Sequence, residues 1–499
     1  MSTLVPITPP PGIVANGTEY SRKGRWIDSD LIRWTEGIAR PIGGWERFIA
    51  TSMNGIPIRM FAYSRNNSVP ALVIGTTTNV YCYDGTLTDI TPAGFVTPYS
   101  NGNTGFGWGA YQYGKETYGT ERSNTGLYPP VYHYFFDAWG DTLVFSCNSD
   151  GKIYRYGDGD SVGVEITDAP NNNAGIIVTD ERFVMALGAG NQYNRIEWSD
   201  RENYDVWTPA STNLSGGLNI NSNSKILDAV KWRGNVLLFT GSDVHLVRYL
   251  GAPLVYGVSK ISDCATPVSP RCTVASGVAV TWVSDGGIMQ YDGSLRPVEC
   301  PVWEFYKDNV NSAAIGAVYG GHNSFNNEII WFFPSGESLS PDKYILWNYK
   351  EGLWSVGYMG RSAWVDKGAF EYPMSITNDG VILRHESTTL NLSYGIGTYS
   401  PYLESAPMDV AYGNGVITVD RLIPDNKMVN NADFSYTLVG KNWPSTTDTV
   451  YGPYKITDDS GKIDIRATAR QFKIRIDCPT DKDFSIGEIR SEVKERGRR

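Results

Sequence analysis

Short apolar strands separated by tight turns recur along this chain. In the clearest copy, Val283–Gly293, the turn Asp285-Gly286-Gly287 supplies residues that tolerate positive φ, as a two-residue hairpin requires. The stretch Ile288–Tyr291 then forms an apolar-rich strand, and Asp292-Gly293 ends it with a second turn. The pattern therefore predicts antiparallel strands joined by a hairpin.

Looser copies of the same pattern occur at 77–85, 149–157, 241–249 and 377–385. An apolar strand precedes nearly every copy: Ala71–Ile74, Thr142–Phe145, Val236–Phe239 and Val278–Trp282. The step from Tyr249 to Tyr291 is about 42 residues, within the ~40–50 residues of one four-stranded propeller blade. Unrelated hairpins in an all-β protein are the alternative, but the preceding strands favour blades. We predict a β-propeller of about six or seven blades.

The texture of the chain changes near residue 389. Lys462–Arg466 and Phe472–Ile476 alternate with a strict period of two, which predicts strands with one wet face and one buried face. We therefore predict an N-terminal arm and hairpin at 1–49, the propeller at 50–388 and a C-terminal β-sandwich or platform domain at 389–499. Basic residues on the last strands alternate with acidic ones, which favours a solvated or interface face over a nucleic-acid stripe: Lys462, Asp464, Arg466, Lys473, Arg475 and Asp477.

Composition and charge narrow the function classes. The 53 Gly and 31 Tyr among 499 residues are typical of turns and strands. A formal charge of −10 argues against a protein that grips nucleic acid by neutralising phosphates. The six Cys form no CxxC pair and are predicted to be reduced core residues. Without a secretory signal or an apolar run of about 18 residues, the sequence predicts a soluble protein made in the cytoplasm.

The search for catalytic chemistry identifies no motif. GxSxG, HExxH, Walker A and helix-opening GxGxxG patterns are absent from the sequence. Three of the four His lie in or beside predicted strands as structural residues, whereas His322 is expected in an exposed loop. Asp158-Gly159-Asp160 and Asp458–Gly461 are interpreted as acidic turns rather than Ca²⁺ loops. We expect no catalytic, cofactor-binding or metal-binding residues, although the 53 acidic residues leave a carboxylate-pair glycosidase open as an alternative.

One long insertion, at 99–135, alternates Gly and aromatic residues with almost no charge. Such a stretch does not bury a core of its own, which favours an irregular loop draped on the propeller. The functional alternative is a loop that reaches a partner or projects into a channel. Its candidate contact residues are Phe106, Trp108, Tyr111, Tyr113 and Tyr118.

The segment from Asp30 to Trp45 carries a resemblance to a known family. An acidic residue, an aliphatic pair, Arg, an aromatic residue, a Gly turn and an aliphatic-Gly-Gly-Trp follow in order as Asp30, Leu31, Ile32, Arg33, Trp34, Gly37 and Ile42-Gly43-Gly44-Trp45. This resembles the N-terminal signature of tail proteins of short-tailed bacteriophages, variously called nozzle, tail-hub, tail tubular or packaged-DNA stabilisation proteins. Further similar positions are Trp198 and Trp207 in one blade and Phe484 and Gly487 near the C-terminus. Together the matches span about a third of the chain.

This resemblance implies a non-enzymatic structural protein of the virion, assembled in the host cytoplasm. Six copies would form a ring below the portal and adaptor, with tail fibre or needle proteins as further partners. The ring would be the distal tail tube that retains double-stranded DNA and passes it, without sequence-specific binding, into the host. Six chains at −10 each carry −60, and an acidic lumen would repel phosphates. The alternative is a propeller that binds a host-surface receptor or degrades glycans.

Overall fold

The structure is a computed structural model that describes residues 3–49, 53–66, 68–98, 132–387, 400–409, 415–428, 434–443, 446–456, 461–480 and 483–497. The insertion at 99–135, apart from 132–135, lies outside the described residues, as do its five candidate contact residues. The N-terminal region contains five short strands: β1 (Thr3–Ile7), β2 (Trp26–Asp30), β3 (Ile32–Thr35), β4 (Ile38–Pro41) and β5 (Trp45–Arg47).

Seven four-stranded antiparallel sheets form in the described residues, and six of them use strands consecutive in sequence. Blade 1 contains β6 (Pro57–Ser64), β7 (Pro70–Thr76), β8 (Val80–Tyr83) and β9 (Leu87–Asp89). Blade 2 contains β10 (Tyr134–Trp139), β11 (Thr142–Cys147), β12 (Ile153–Tyr156) and β13 (Val164–Glu165). Blade 3 contains β14 (Gly175–Val178), β15 (Val184–Leu187), β16 (Arg195–Trp198) and β17 (Gly216–Asn219). Blades 4 and 5 are β18 (Ile226–Trp232), β19 (Asn235–Thr240), β20 (Val244–Gly251) and β21 (Val255–Ser262); and β22 (Val274–Ala275), β23 (Val280–Ser284), β24 (Gly287–Tyr291) and β25 (Leu295–Val298).

Blade 6 follows a short helix, α1 (Trp303–Asn309), and a 3₁₀ turn at Ser312–Ala317; another 3₁₀ turn, Ala189–Asn191, lies in blade 3. The strands of blade 6 are β26 (Tyr319–Asn323), β27 (Glu328–Phe333), β28 (Lys343–Asn348) and β29 (Leu353–Tyr358). Blade 7 takes three strands from this end of the chain, β30 (Ala363–Val365), β31 (Met374–Ile376) and β32 (Ile382–His385), and its fourth strand is β5.

The innermost strands of the seven blades form a closed circle. Each contacts the innermost strand of the next blade, and β30 of blade 7 contacts β6 of blade 1. The predicted all-β propeller is thus confirmed, with seven blades. Every copy of the repeat forms the third strand of its blade, as β8, β12, β20, β24 and β32, and each apolar strand before it is the second.

The C-terminal region contributes eight strands to a sandwich of two six-stranded sheets, and β1 to β4 contribute the other four. The eight are β33 (Tyr402–Ser405), β34 (Met408–Asp409), β35 (Val416–Met428), β36 (Phe434–Lys441), β37 (Thr449–Ile456), β38 (Ile463–Ala469), β39 (Gln471–Asp477) and β40 (Phe484–Gly497). Residues of β38 alternate strictly between buried and exposed, as its period of two predicts. The consecutive strands β38 and β39 nevertheless lie in different sheets.

Residues 3–49 connect the propeller to the sandwich. Strands β1 and β4 pair with β40 in one sheet of the sandwich, and β2 pairs with β33 in the other. Strand β5 pairs with β32 and closes blade 7. One apolar core runs continuously from the sandwich through Trp26 and Trp34 into blades 4 to 6. The chain start is therefore shared between the propeller and the sandwich.

Candidate functional site

The signature segment lies where the sandwich meets blades 6 and 7. Asp30, at the end of β2, accepts a hydrogen bond from the backbone N–H of Tyr358 at 2.8 Å. The next residue, Leu31, has a φ of 52° and donates its N–H to the hydroxyl of Tyr344 at 3.1 Å. This left-handed residue turns the chain from one sheet of the sandwich to the other, so the acidic residue and the aliphatic residue of the signature fix the corner.

Burial raises the pKa of Asp30 to about 7, with the charge of Asp28 adding to the effect and the Tyr358 hydrogen bond opposing it. An unfolded Asp loses its proton near pH 3.9. The folded protein therefore binds more protons than the unfolded chain between these values, and this group's contribution to stability falls as pH rises through that window.

We expect Asp30→Asn to flatten this pH dependence. The amide keeps an acceptor oxygen for the Tyr358 N–H but does not titrate. Between pH 4.5 and 6.5, the free energy of unfolding should fall less steeply than in the unaltered protein, by up to about 1.4 kcal/mol per pH unit. Urea unfolding at three pH values measures both slopes, and identical slopes would refute the buried-proton account.

Arg33 is the centre of a buried ion network. Its Nη1 donates to Glu386 Oε2 at 2.8 Å and its Nε lies 3.1 Å from Glu328 Oε1. The amide of Asn323 donates to both carboxylates at 3.1 Å. The network joins β3 of the sandwich to blade 6 and to the end of blade 7, and Arg33 is only 5% exposed. It ties three elements together at one point.

Electrostatics within this network match its geometry. Burial raises the pKa of Glu328 to about 7, while the Arg33 charge acts in the opposite direction and the Glu386 charge adds to the rise. Burial acts to lower the pKa of Arg33, but the two carboxylates outweigh it and hold that pKa above its ordinary value. The arginine therefore stays charged in a site where the pKa of one carboxyl group is raised into the physiological pH range.

Gly43 makes room for Glu386. A Cβ at residue 43 would lie 2.0 Å from Glu386 Oε2 and 3.1 Å from its Cα. The carboxylate is held by Arg33 and does not swing away freely, which explains why the signature has Gly at this position. Gly44, the second Gly, is buried directly before Trp45.

Trp45 completes the signature inside blade 7. Its ring is fully buried; the Arg361 guanidinium carbon lies 4.6 Å from the ring centroid, and the His385 ring lies 5.4 Å away. His385 Nε2 accepts a hydrogen bond from Arg361 Nε at 3.2 Å, and burial with the Arg361 and Arg33 charges holds the pKa of His385 well below its usual range. This His is a neutral structural residue.

The remaining signature residues are also packing residues. Trp198 donates its indole N–H to the Leu214 carbonyl at 2.8 Å, and Trp207 donates to the Tyr204 carbonyl at 2.8 Å. Phe484 is buried against the sandwich core. A Cβ at Gly487 would lie 2.4 Å from the Asp425 carbonyl oxygen, so Gly permits the close approach of β35 and β40 there.

Two expectations about single residue types need correction. His322 does not lie in an exposed loop: it is part of β26, half-buried, with Nδ1 2.9 Å from Asp366 Oδ2. The two residues before it, Gly320 and Gly321, are Gly in this strand because Val274 and Trp364 occupy the space that their side chains would need. All six Cys are free, as expected, but Cys264 is exposed in the turn after β21 and is not a core residue.

The central channel of the propeller is the second candidate site. The innermost strands surround a cavity of about 560 Å³ that carries five charged side chains among apolar ones: Arg59, Asp137, Asp228, Lys231 and Arg271. Lys231 Nζ lies 2.8 Å from Asp137 Oδ1, and Thr273 donates its hydroxyl hydrogen to Asp228. Burial raises the pKa of Asp228 to about 6.

Sequence reasoning missed these channel residues. The sequence feature that could have identified most of them is a charged residue inside the apolar first strand of a blade, as in β6, β10 and β18. Within the described residues, no group of three or more His, Cys, Asp or Glu is arranged to hold a metal ion. Asp160 accepts from Arg155 as part of an acidic turn, whereas 457–460 lies outside the described residues.

Basic residues of the last strands have acidic neighbours. Lys473 pairs with Glu404, Arg475 lies 2.9 Å from Asp477, and Lys462 lies 3.6 Å from Asp464. These pairs neutralise much of the charge on the strands. In the part of the chain that the structure describes, no helix is long and apolar enough to cross a membrane.

The closed circle of sheets defines a β-propeller protein with a β-sandwich attached. No protein-family model and no curated protein matches the chain. Among solved structures, it is similar to a catalytically inactive virginiamycin B lyase from Staphylococcus aureus with quinupristin (10% identity, 68% of this chain, 98% of that chain, TM-score 0.41). It is also similar to the β-propeller domain of Cps50 (Swd1) from Myceliophteria thermophila (9% identity, 68% and 98% coverage, TM-score 0.37). At this identity the likeness concerns the fold alone.

Proposed function

We propose that this chain is a structural subunit of a short-tailed bacteriophage tail, in the ring that forms the distal tail tube. The observation that carries the proposal is the place of the Asp30–Trp45 signature, whose side chains lock the sandwich to blades 6 and 7. The residues that carry the resemblance thus connect parts of the fold, which is the role expected of signature residues in a structural subunit.

A ring subunit has to be rigid, because heterologous contacts close into a ring only when each copy presents the same angle to the next. Three independent connections hold the two parts of this chain at one angle. They are the pairing of β1, β2 and β4 into the sandwich, the closure of blade 7 by β5, and the ion network of Arg33.

The channel of a single propeller is not the proposed path for DNA. The Arg271 side chain donates to the Ile58 carbonyl and so connects blade 5 to blade 1, which are not neighbours in the circle. DNA would instead pass through the lumen between six copies. Net acidic charge on that lumen would keep phosphates from adhering.

Light scattering of the purified protein, alone and with the portal–adaptor complex of the same phage, tests this proposal. We expect a ring of about six copies with a central hole, visible by electron microscopy, and a lumen surface with more Asp and Glu than Lys and Arg. A persistent monomer that binds or cleaves bacterial surface polysaccharide would contradict the assembly role and favour a receptor-binding or glycan-degrading propeller. A lumen lined mainly by Lys and Arg would contradict the charge argument.

A further inference from the structure

Two arginines meet at the end of the propeller channel where the innermost strands begin. Arg59, near the start of β6, donates to the Tyr134 carbonyl of blade 2 at 2.7 Å. Arg271, before β22, donates to the Ile58 carbonyl of blade 1 and reaches the Ala317 carbonyl at 3.4 Å. Both arginines line the same cavity, and they are close enough for the Arg59 charge to lower the pKa of Arg271.

Neither guanidinium forms a direct ion pair with a carboxylate among the described residues, although the charges of Asp228 and Asp137 partly offset the effect of burial on the pKa of Arg59. Their hydrogen bonds there go to backbone carbonyls, and the buried Nε of Arg271 has no hydrogen-bond acceptor. Aromatic rings support both groups instead: Phe135 lies 5.5 Å from Arg59 and Tyr319 lies 5.7 Å from Arg271. Buried cations ordinarily form a direct ion pair, so two that form none among the described residues require an explanation.

The carboxylates of the channel are already engaged. Asp137 accepts from Lys231 and from the Val178 N–H at 2.9 Å, and Asp228 accepts from Thr273 and the Ala229 N–H at 2.9 Å. Burial together with the Arg59 charge lowers the pKa of Arg271 to about 10, so Arg271 remains charged at neutral pH. The three basic side chains of the cavity outnumber its two carboxylates, so basic groups are in excess there.

We propose that the space between Arg59 and Arg271 is a binding site for a small oxyanion of the carboxylate or phosphate class. The planar guanidinium fork suits either group, and a bound anion would supply the charge that the described residues do not. The cavity of about 560 Å³ is large enough for a ligand of several heavy atoms. This site is independent of the proposed assembly role.

A purely structural explanation makes a different prediction. If Arg271 served only as a strut between blades 1, 5 and 6, its replacement would lower stability to the same extent with and without anions. An anion site instead makes the stability of the unaltered protein depend on anion concentration, and that dependence should vanish with the arginines.

Calorimetric titration with inorganic phosphate and with citrate, at ionic strength matched by NaCl, tests the site. We expect binding of at least one probe, reduced about 10- to 100-fold in Arg59→Met and in Arg271→Met, the loss of one charge-assisted contact each. The matched control, Arg248→Met, changes an exposed arginine on the third strand of blade 4 and should bind within about twofold of the unaltered protein. Stronger binding of phosphate or of citrate identifies the class.

Three results would overturn the site: no binding of either probe, binding by the two methionine variants equal to that of the unaltered protein, or stabilisation of the unaltered protein by NaCl alone equal to that by the probes. If circular dichroism shows that a methionine variant is unfolded, a structure of the unaltered protein with selenate decides. Anomalous signal from selenium between Arg59 and Arg271 supports the site, and signal elsewhere or nowhere refutes it.

Discussion

Replacing Arg33 with Met will destabilise the protein by about 3–5 kcal/mol. The substitution keeps much of the side-chain volume but leaves Glu328 and Glu386 buried together without their cation. A buried carboxylate without a partner must either remain charged at a high desolvation cost or take up a proton. Urea unfolding followed by circular dichroism at pH 7 measures the loss.

The control for this prediction is again Arg248→Met, since that exposed side chain should change stability by no more than about 0.5 kcal/mol. A second variant, Arg33→Met with Glu386→Gln, removes one of the two uncompensated charges. It should recover at least about 1 kcal/mol relative to Arg33→Met alone. If Arg33→Met were no worse than Arg248→Met, the network would not be what holds the junction.

The blades were predictable from sequence because their strands are local. Asp285-Gly286 forms the turn between β23 and β24, with Ser284 paired to Gly287, and Gly287, Gly151 and Gly380 each have a positive φ in the turn of their copy. In each case the information lies within a few residues of the element it specifies.

Non-local pairings were not predictable in this way. Nothing in the stretch Trp45–Arg47 indicates that it pairs with Ile382–His385, more than 300 residues later, because strand pairing depends on the closed circle. The partners of Arg33 were hidden for the same reason, since Glu328 and Glu386 come from different blades. Glu328 is also the first residue of β27, in which every residue is buried, so its acidic side chain did not indicate where it lies in the fold.

Channel residues illustrate a third limit. In β10, Asp137 interrupts an otherwise apolar strand, and in β18 both Asp228 and Lys231 do so. From the sequence alone, a single charged residue in such a strand indicates a solvent-exposed face, because an alternating pattern places polar residues on that face. Only the ring of seven blades shows that these charged residues line one and the same cavity.

Trp45→Ala is expected to have an effect as large as that of Arg33→Met, about 3–5 kcal/mol, because a fully buried Trp leaves a large cavity. The ring packs with Leu31, Ile42 and Leu383, residues from the sandwich corner and from blade 7. Its loss also removes the surface on which Arg361 is stacked. The last blade should therefore lose its fourth strand before the rest of the propeller unfolds.

Hydrogen exchange separates that local effect from general destabilisation. Amides of Trp45–Arg47 and Ile382–His385 should exchange faster in Trp45→Ala by more than those of blade 3, which does not touch the closure. Trp443→Ala is the matched control, since that ring is 52% exposed and its removal should cost no more than about 1 kcal/mol. Uniform acceleration across all blades would contradict a closure role for β5. Selective opening would show that the signature ends in Trp because this residue closes the circle, which makes the N-terminal segment part of the propeller.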